Sequence, residues 1–222
     1  MLSRLFADRA DAGRALAGRI SETGGIVPSS SAEQPLPLIV GLARGGVPVA
    51  REVAEAFNLP LEVLVVRKLG APGQPEYAMG TLAAGQVFVA DDVPRRLGVS
   101  DRQLHEIVLR EDALRVERET RYRQERRPYS FDGRFVVLVD DGIATGATMA
   151  VAARAVRAAG AADVMIAVPT SPRDALRRFA DDPDIDRVVA VDVPEPFRAV
   201  GLSYGEFGQV PDDDVVSCLR DR

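Results

Sequence analysis

Five short apolar runs separated by helical patterns constrain this chain more than any other feature. PLIVGL, LEVLVVRK, Phe135–Val139, DVMIAV and DRVVAVD are each of strand length and built around an unbroken run of three to five apolar residues. A strand with one solvated face would alternate apolar and polar residues, whereas a continuous run points to burial on both faces. Parallel strands need long crossovers, and the segments between these runs carry helical periodicity. The expected class is α/β: a central, mostly parallel sheet flanked by helices.

Leu5–Ile20 reads as a helix with Phe6, Ala10, Leu16 and Ile20 toward one side, and a second helix runs from Pro48 to about Phe57. LEVLVVRK is expected as one strand. YAMGTLAAGQVFVADD reads as a hairpin turning at Ala84-Gly85. Asp101 to about Arg126 forms a long helix, apolar at Leu104, Ile107, Val108 and Leu114 and mostly charged thereafter. Its stretch RVERETRYRQERR is expected as a solvated face, with a dimer contact as the alternative. SPRDALRRF opens a helix with Ser171 as N-cap. SETGGIVPSSSAEQPLP is a loop, and the tail from Val193 to Arg222 is irregular. The expected layout is a single Rossmann-like core over 36–192, preceded by an N-terminal helix and loop over 1–35 and followed by a small C-terminal hood over 193–222.

The 222 residues carry a net charge of −5, which argues against a broad nucleic-acid-binding surface. An anionic ligand would have to be drawn by a local cluster. No apolar run approaches the ~18 residues of a membrane span, and the first twenty are too interrupted by charge for a secretory signal. Cys218 is the one cysteine and His105 the one histidine, so neither an internal disulfide nor a Cys/His zinc site is expected, and the cytoplasm is the default location. His105, beside the core-facing Leu104, reads as a solvated or boundary residue. Of the 28 basic residues only Lys68 is a lysine, which marks it as a candidate, since an ammonium is not equivalent to a guanidinium.

The sharpest motif is VVLVDDGIATGATM, Val136 to Met149. It places Asp140 and Asp141 at a strand end, where ligands of open α/β sheets bind, and a turn of small residues at the start of the next helix. Backbone N–H groups at a helix start make an anion site, Gly146 with Ala144 and Ala147 lets a phosphate come close, and Thr145 and Thr148 add hydroxyls. The loop matches neither GxxxxGK[ST] nor GxGxxG. A cradle with two carboxylates just upstream suits a ligand bearing a phosphate and vicinal hydroxyls, such as a ribose 5-phosphate, and can hold a water-clad Mg²⁺. The plain alternative is a helix-capping turn with solvated aspartates. The pair at Asp91-Asp92 has no glycine after it and offers no such cradle.

Val136–Thr148 resembles the signature of the type I phosphoribosyltransferases: an apolar strand, two acidic residues, two further residues and a small-Thr-Gly-x-Thr loop. The resemblance implies that Asp140 and Asp141 meet the ribose hydroxyls of 5-phosphoribosyl 1-diphosphate (PRPP), and that Ala144, Thr145, Gly146, Ala147 and Thr148 grip its 5′-phosphate. GLARGG resembles the family's diphosphate loop, which often carries a non-proline cis peptide, and so implicates Arg44, Gly45 and Gly46. VVRK places Arg67 and Lys68 against the same group. VPEPFRAVGLSYGEF resembles the hood of the 6-oxopurine branch and puts Phe197 where an aromatic stacks on the base. Glu76 and Tyr77 are further acceptor-side candidates, with a plain hairpin lead-in as the alternative.

Two positions depart from the 6-oxopurine branch. Ala144 stands where that branch has an aspartate, and Pro169 or Thr170 stands where it has a lysine. The Ala-Thr-Gly form resembles the adenine branch, without that branch's base-binding segment. The long helix 101–126 occupies the place of a loop mobile in many relatives. What the resemblance implies is an Mg²⁺-dependent transferase moving ribose 5-phosphate from PRPP to a nitrogenous acceptor, a nucleobase among the candidates, with homodimers common in the family and no membrane or nucleic-acid partner. The competing readings are a regulatory protein that senses PRPP or a nucleotide, and a hydrolase whose acceptor is water.

Overall fold

The computed structural model describes residues 5–27, 35–90 and 92–220, without the side chains of 75 and 76. Its elements run α1 (Arg9–Glu22), β1 (Leu38–Leu42), α2 (Gly46–Ala56), β2 (Leu61–Leu64), β3 (Arg67–Ala71), β4 (Gln74–Ala83) and β5 (Gln86–Val89). A short turn of helix, α3 (Val93–Arg96), leads into α4 (Asp101–Arg123). Then follow β6 (Phe135–Val139), α5 (Ala147–Ala158), β7 (Asp163–Thr170), α6 (Arg173–Ala180), β8 (Arg187–Asp192), a 3₁₀ turn at Val200–Ser203 and α7 (Asp212–Arg220). The expected α/β class is what the chain adopts. Five parallel strands form the central sheet in the order β2-β1-β6-β7-β8, and β3-β4-β5 form a separate antiparallel sheet.

The continuous apolar runs face two cores. Ile39, Val137, Val139, Met165 and Val189 pack with Leu16 and Ile20 of α1, Val49 and Val53 of α2 and Val215 and Val216 of α7. Leu38, Val40, Leu138, Ile166 and Val168 pack on the other side with Ala152 and Val156 of α5 and Phe179 of α6. Fully burying such an aliphatic side chain stabilises the fold by roughly 1.5–3 kcal/mol. From β1 the chain winds outward to β2, and from β6 it winds the opposite way to β7 and β8. The carboxyl ends of β1 and β6 therefore flank the point where strand order reverses, the place where open α/β sheets receive ligands.

Several local expectations need correction. LEVLVVRK is two strands in two sheets. After Leu64 the Val65 N–H donates to the Glu119 carboxylate at 3.2 Å instead of to a neighbouring strand, and the chain turns into the second sheet. The first helix begins at Arg9, where the Asp8 side chain accepts the Asp11 N–H at 2.8 Å, and Phe6 lies ahead of it, bridged to Tyr204. The second starts at Gly46, with Pro48 in its first turn. Pro172, not Ser171, holds the cap position of α6; Ser171 is buried and its hydroxyl donates to the Pro172 carbonyl. The tail is only partly irregular, since α7 closes it. The hairpin turns as expected, with Ala84 at φ 49° and Gly85 at φ 74°. The loop segment 28–34 and Asp91 lie outside the described residues.

The largest correction concerns α4. Ile107, Glu111, Arg115, Glu119 and Tyr122 recur every three or four residues and are all buried, so the stripe facing inward is itself mostly charged. Arg115 pairs with Glu119 at 2.7 Å and Asp112 at 2.8 Å. Arg123 pairs with Glu119 at 3.2 Å and with Glu62 of β2 at 2.9 Å. Such groups tolerate burial only when paired and hydrogen-bonded. RVERETRYRQERR is solvated at eight of its thirteen positions, as expected, and packs inward at Arg115, Glu119, Tyr122, Arg123 and Arg126. His105 is exposed, as expected. Among the described residues, no helix is long and apolar enough to cross a membrane.

Candidate functional site

β6 is buried along all five residues and delivers Asp140 and Asp141 to the reversal point. The Asp141 N–H donates to Asp140 Oδ1 at 2.9 Å, while Oδ2 of Asp140 carries no hydrogen bond among the described residues. Burial, and then the neighbouring Asp141 charge, pushes the Asp140 carboxyl well above its ordinary range. Burial also raises Asp141, against the pull of Arg9. Arg9, from α1, places Nε 2.9 Å and Nη2 2.8 Å from Asp141 Oδ2. Its Nη1 donates to the Gly208 carbonyl at 2.9 Å, and its guanidinium lies 4.2 Å from the centre of the Phe207 ring. The Tyr204 hydroxyl donates to the Asp141 carbonyl, so both ends of the chain converge on the acidic pair.

The turn after the pair is an open cradle on a fixed base. Ile143 is buried and its N–H donates to the Thr170 carbonyl at 2.9 Å, whereas Ala144, Thr145, Ala147 and Thr148 are exposed. Gly146 caps α5 at φ 82°, a conformation that L side chains resist. A Cβ there would sit 2.7 Å from the Phe179 ring. Arg178 Nη2 braces the turn by donating to the Thr145 carbonyl at 3.1 Å. Of the amides that open α5, that of Ala147 makes a long bond to the Thr145 hydroxyl at 3.5 Å, and the positive end of the helix dipole favours an anion there.

The β1–α2 loop closes the other side of the crevice. Ala43-Arg44 is a cis peptide bond. A Cβ on Gly45 would lie 2.1 Å from Asp141 Oδ2, and one on Gly46 would lie 2.5 Å from the Val139 carbonyl oxygen, so only glycines allow this loop to approach the acidic pair. Arg44 reaches toward Asp212 of α7 at 3.6 Å. Arg67 is held by Glu111, with Nη2 at 2.6 Å and Nε at 3.1 Å. Arg67 and the exposed Lys68 line a cleft of about 520 Å³ with Arg110 and Glu111. Arg67 also lines a smaller cleft with Asp212, and neither Lys68 nor Arg44 lines it.

The acceptor-side candidates are more scattered. Phe197 is partly buried, follows the cis Glu195-Pro196 bond, and does not line the cleft of about 300 Å³ whose walls include Leu5, Pro194, Leu202, Asp192 and Arg198. Tyr77 is exposed on β4 of the second sheet, and no hydrogen bond or ring contact ties it to the acidic pair among the described residues. The side chain of Glu76 lies outside the described residues. Arg9, Asp212 and Arg178 were not legible as site residues, since nothing marks one arginine among twenty-seven or singles out one aspartate of a run of three.

A turn of small and hydroxylated residues and two buried carboxylates thus meet at the reversal point of a parallel sheet, the place where open α/β sheets receive ligands. The chain belongs to the phosphoribosyl transferase domain family, whose profile matches residues 4–193. It is 43% identical over 217 residues to a Mycobacterium tuberculosis protein with a provisional phosphoribosyl transferase name, Rv0571c in one strain and MT0597 in another. That match covers 97% of this chain and 46% of the relative, so the chain spans about half the length of those curated relatives. The crystal structure of TT1426 from Thermus thermophilus superposes with a TM-score of 0.77 at 38% identity, covering 96% of this chain and 97% of that one.

Proposed function

We propose that this chain transfers ribose 5-phosphate from PRPP to a nitrogenous acceptor and releases diphosphate in an Mg²⁺-dependent reaction. The observation that carries the reading is the joint placement of the acidic pair, the open turn 144–148 and the β1–α2 glycines around one crevice. The 5′-phosphate rests on the amides opening α5 and on the Thr145 and Thr148 hydroxyls. Asp140 and Asp141 accept hydrogen bonds from the ribose hydroxyls, which relieves the repulsion that burial imposes on them. Arg44, the amides near Gly45 and Gly46, Arg67 and Lys68 stabilise the diphosphate as it departs.

As the anomeric C–O bond breaks, its electron pair leaves with diphosphate, and the sugar ring gains cationic character as in glycoside cleavage. The acceptor nitrogen then supplies the electron pair of the new bond and loses a proton. The buried carboxylates favour the cationic ring electrostatically. Two adjacent carboxylates, with Asp140 Oδ2 uncommitted, fit Mg²⁺ held through water and substrate, and among the described residues no group of three or more ligating side chains offers a protein cage. When bound, Mg²⁺ neutralises charge on the diphosphate. Phe197 as an acceptor-side residue and homodimerisation rest on the resemblance alone, Tyr77 and Glu76 on their place in the Gly/Pro-rich stretch after Lys68, and a cytoplasmic location on the single cysteine.

The test is turnover of PRPP by the double variant Asp140→Asn, Asp141→Asn. A loss of at least ~3 kcal/mol of transition-state stabilisation is expected, the scale of one strong electrostatic contact. Turnover equal to that of the parent would remove the acidic pair from the chemistry.

A further inference from the structure

The flank of α4 and the first turn of α7 meet beside the β1–α2 loop and hold charges that the proposed reaction has not used. Asp212 accepts the Tyr122 hydroxyl at 2.7 Å and Arg121 Nη1 at 2.9 Å, and it faces Arg44 at 3.6 Å. Arg67, Leu114, Glu117, Arg118, Arg121 and Asp212 line one cleft of about 230 Å³. Leu114, Arg118 and Arg121 are spaced along a single flank of the helix, so both guanidinium stems reach the cleft from the same side. Arg118 is exposed and makes no ion pair among the described residues.

Asp212 reports the local field. The Tyr122 hydroxyl, and then the charges of Arg121, Arg44 and Arg118, hold its carboxyl below the ordinary range. Arg67, Arg118 and Arg121 thus line the cleft with Asp212 and Glu117, Arg44 faces Asp212 at 3.6 Å, and Glu111 and Asp213 pair with Arg67 and Arg121 at 2.6 and 3.7 Å. A carboxylate held by guanidinium and hydroxyl donors occupies a place that phosphate oxygens would also suit, because a planar guanidinium fork matches both groups. Arg67 is committed to Glu111 through two nitrogens, and Arg121 to Asp212 at 2.9 Å and Asp213 at 3.7 Å, so a new anion is met first by Arg118 and by Arg121 as Asp212 gives way.

We propose that Arg118 and Arg121 of α4 bind the leaving diphosphate together with Arg44, and that the Asp212 carboxylate is the anion that diphosphate displaces. The inference rests on the PRPP reading of the site. It gives α4 a binding role and makes the start of α7 a competitor for that role.

The experiment is calorimetric titration of inorganic diphosphate, and in parallel of ribose 5-phosphate, at fixed Mg²⁺. The parent is compared with Arg118→Ala, Arg121→Ala and Asp212→Asn, each with its thermal transition measured. The two arginine variants are expected to weaken diphosphate about tenfold or more and to leave ribose 5-phosphate unchanged, the scale of a hydrogen bond to a charged group. Asp212→Asn is expected to tighten diphosphate severalfold by removing the competing charge. Unchanged diphosphate affinity in both arginine variants overturns the proposal, and so does equal weakening of both ligands. A parent that binds ribose 5-phosphate but not diphosphate also overturns it, with the sugar-phosphate reading intact. A parent that binds diphosphate through Arg118 and Arg121 yet ignores ribose 5-phosphate upholds the anion site and sinks the sugar-phosphate reading of the crevice.

Discussion

Arg9 and Asp141 form a two-nitrogen ion pair, at 2.9 and 2.8 Å, although 132 positions separate them in the chain. The Arg9 side chain is 13% exposed and that of Asp141 16%, so water screens the pair little. With Phe207 under the guanidinium and Tyr204 on the Asp141 carbonyl, the pair joins α1, the end of β6 and the tail into one assembly.

Arg9→Ala strips Asp141 of its counter-charge and leaves a poorly solvated carboxylate. A loss of about 3 kcal/mol in unfolding free energy is expected, at the lower end for breaking a buried pair. Urea unfolding of parent and variant measures it. A loss below ~0.5 kcal/mol, the scale of an ordinary surface substitution, would mean that the tail and α1 hold together without this contact.

The raised carboxyl of Asp140 has a definite sign in stability. Its folded form binds a proton more readily than the unfolded chain does, so its contribution favours folding in acid and is lost as pH rises through the folded value, which lies above the ordinary carboxylate range. Asp140→Asn is therefore expected to raise the melting temperature of the ligand-free protein at neutral pH. The gain should shrink as pH falls through that value. Melting curves for both proteins from about pH 4 to about pH 8 check this; an unchanged neutral melting temperature would refute it.

Gly45→Ala would drive a methyl group to 2.1 Å from Asp141 Oδ2. Either the β1–α2 loop or the acidic pair must move, at a cost of roughly 1–3 kcal/mol. The same displacement is expected to abolish PRPP binding in calorimetry. Full PRPP affinity in Gly45→Ala would mean that the two loops need not touch for the ligand to bind.

Glu119 joins α4 to the sheet: it accepts from Arg115, Arg123 and the Val65 N–H, and is almost fully buried. Glu119→Ala leaves the Val65 amide without its acceptor and strips one buried carboxylate from Arg115 and Arg123, which keep Asp112 and Glu62. A destabilisation of about 3–5 kcal/mol is expected from denaturant unfolding. A cost near that of an exposed substitution, within about 0.5 kcal/mol, would show the network to be dispensable.

The sheet was legible because β1, β6 and β7 are buried on both faces and so read as unbroken apolar runs. The turn at Gly142–Thr148 was legible because its chemistry is local: strand, acids, cradle and helix start are contiguous. α4 and its apolar residues Leu104, Ile107 and Val108 were legible, but its charged inward stripe of Glu111, Arg115 and Glu119 was not, because apolar periodicity cannot detect a face buried through ion pairs. The break in LEVLVVRK was hidden for a related reason, since Glu119, 54 positions away, accepts the Val65 N–H at 3.2 Å. Arg9 and Asp212 reach the site only through tertiary contacts of the two ends of the chain, which no local pattern encodes.

The central claim is tested most directly by measuring diphosphate release from PRPP and Mg²⁺, alone and against purines, pyrimidines and small amines. The account predicts release that depends on one nitrogenous acceptor and is lost in the Asp140→Asn, Asp141→Asn variant. Release with no acceptor would identify a hydrolase, and no release from a protein that still binds PRPP would identify a sensor; either result would contradict the transferase assignment.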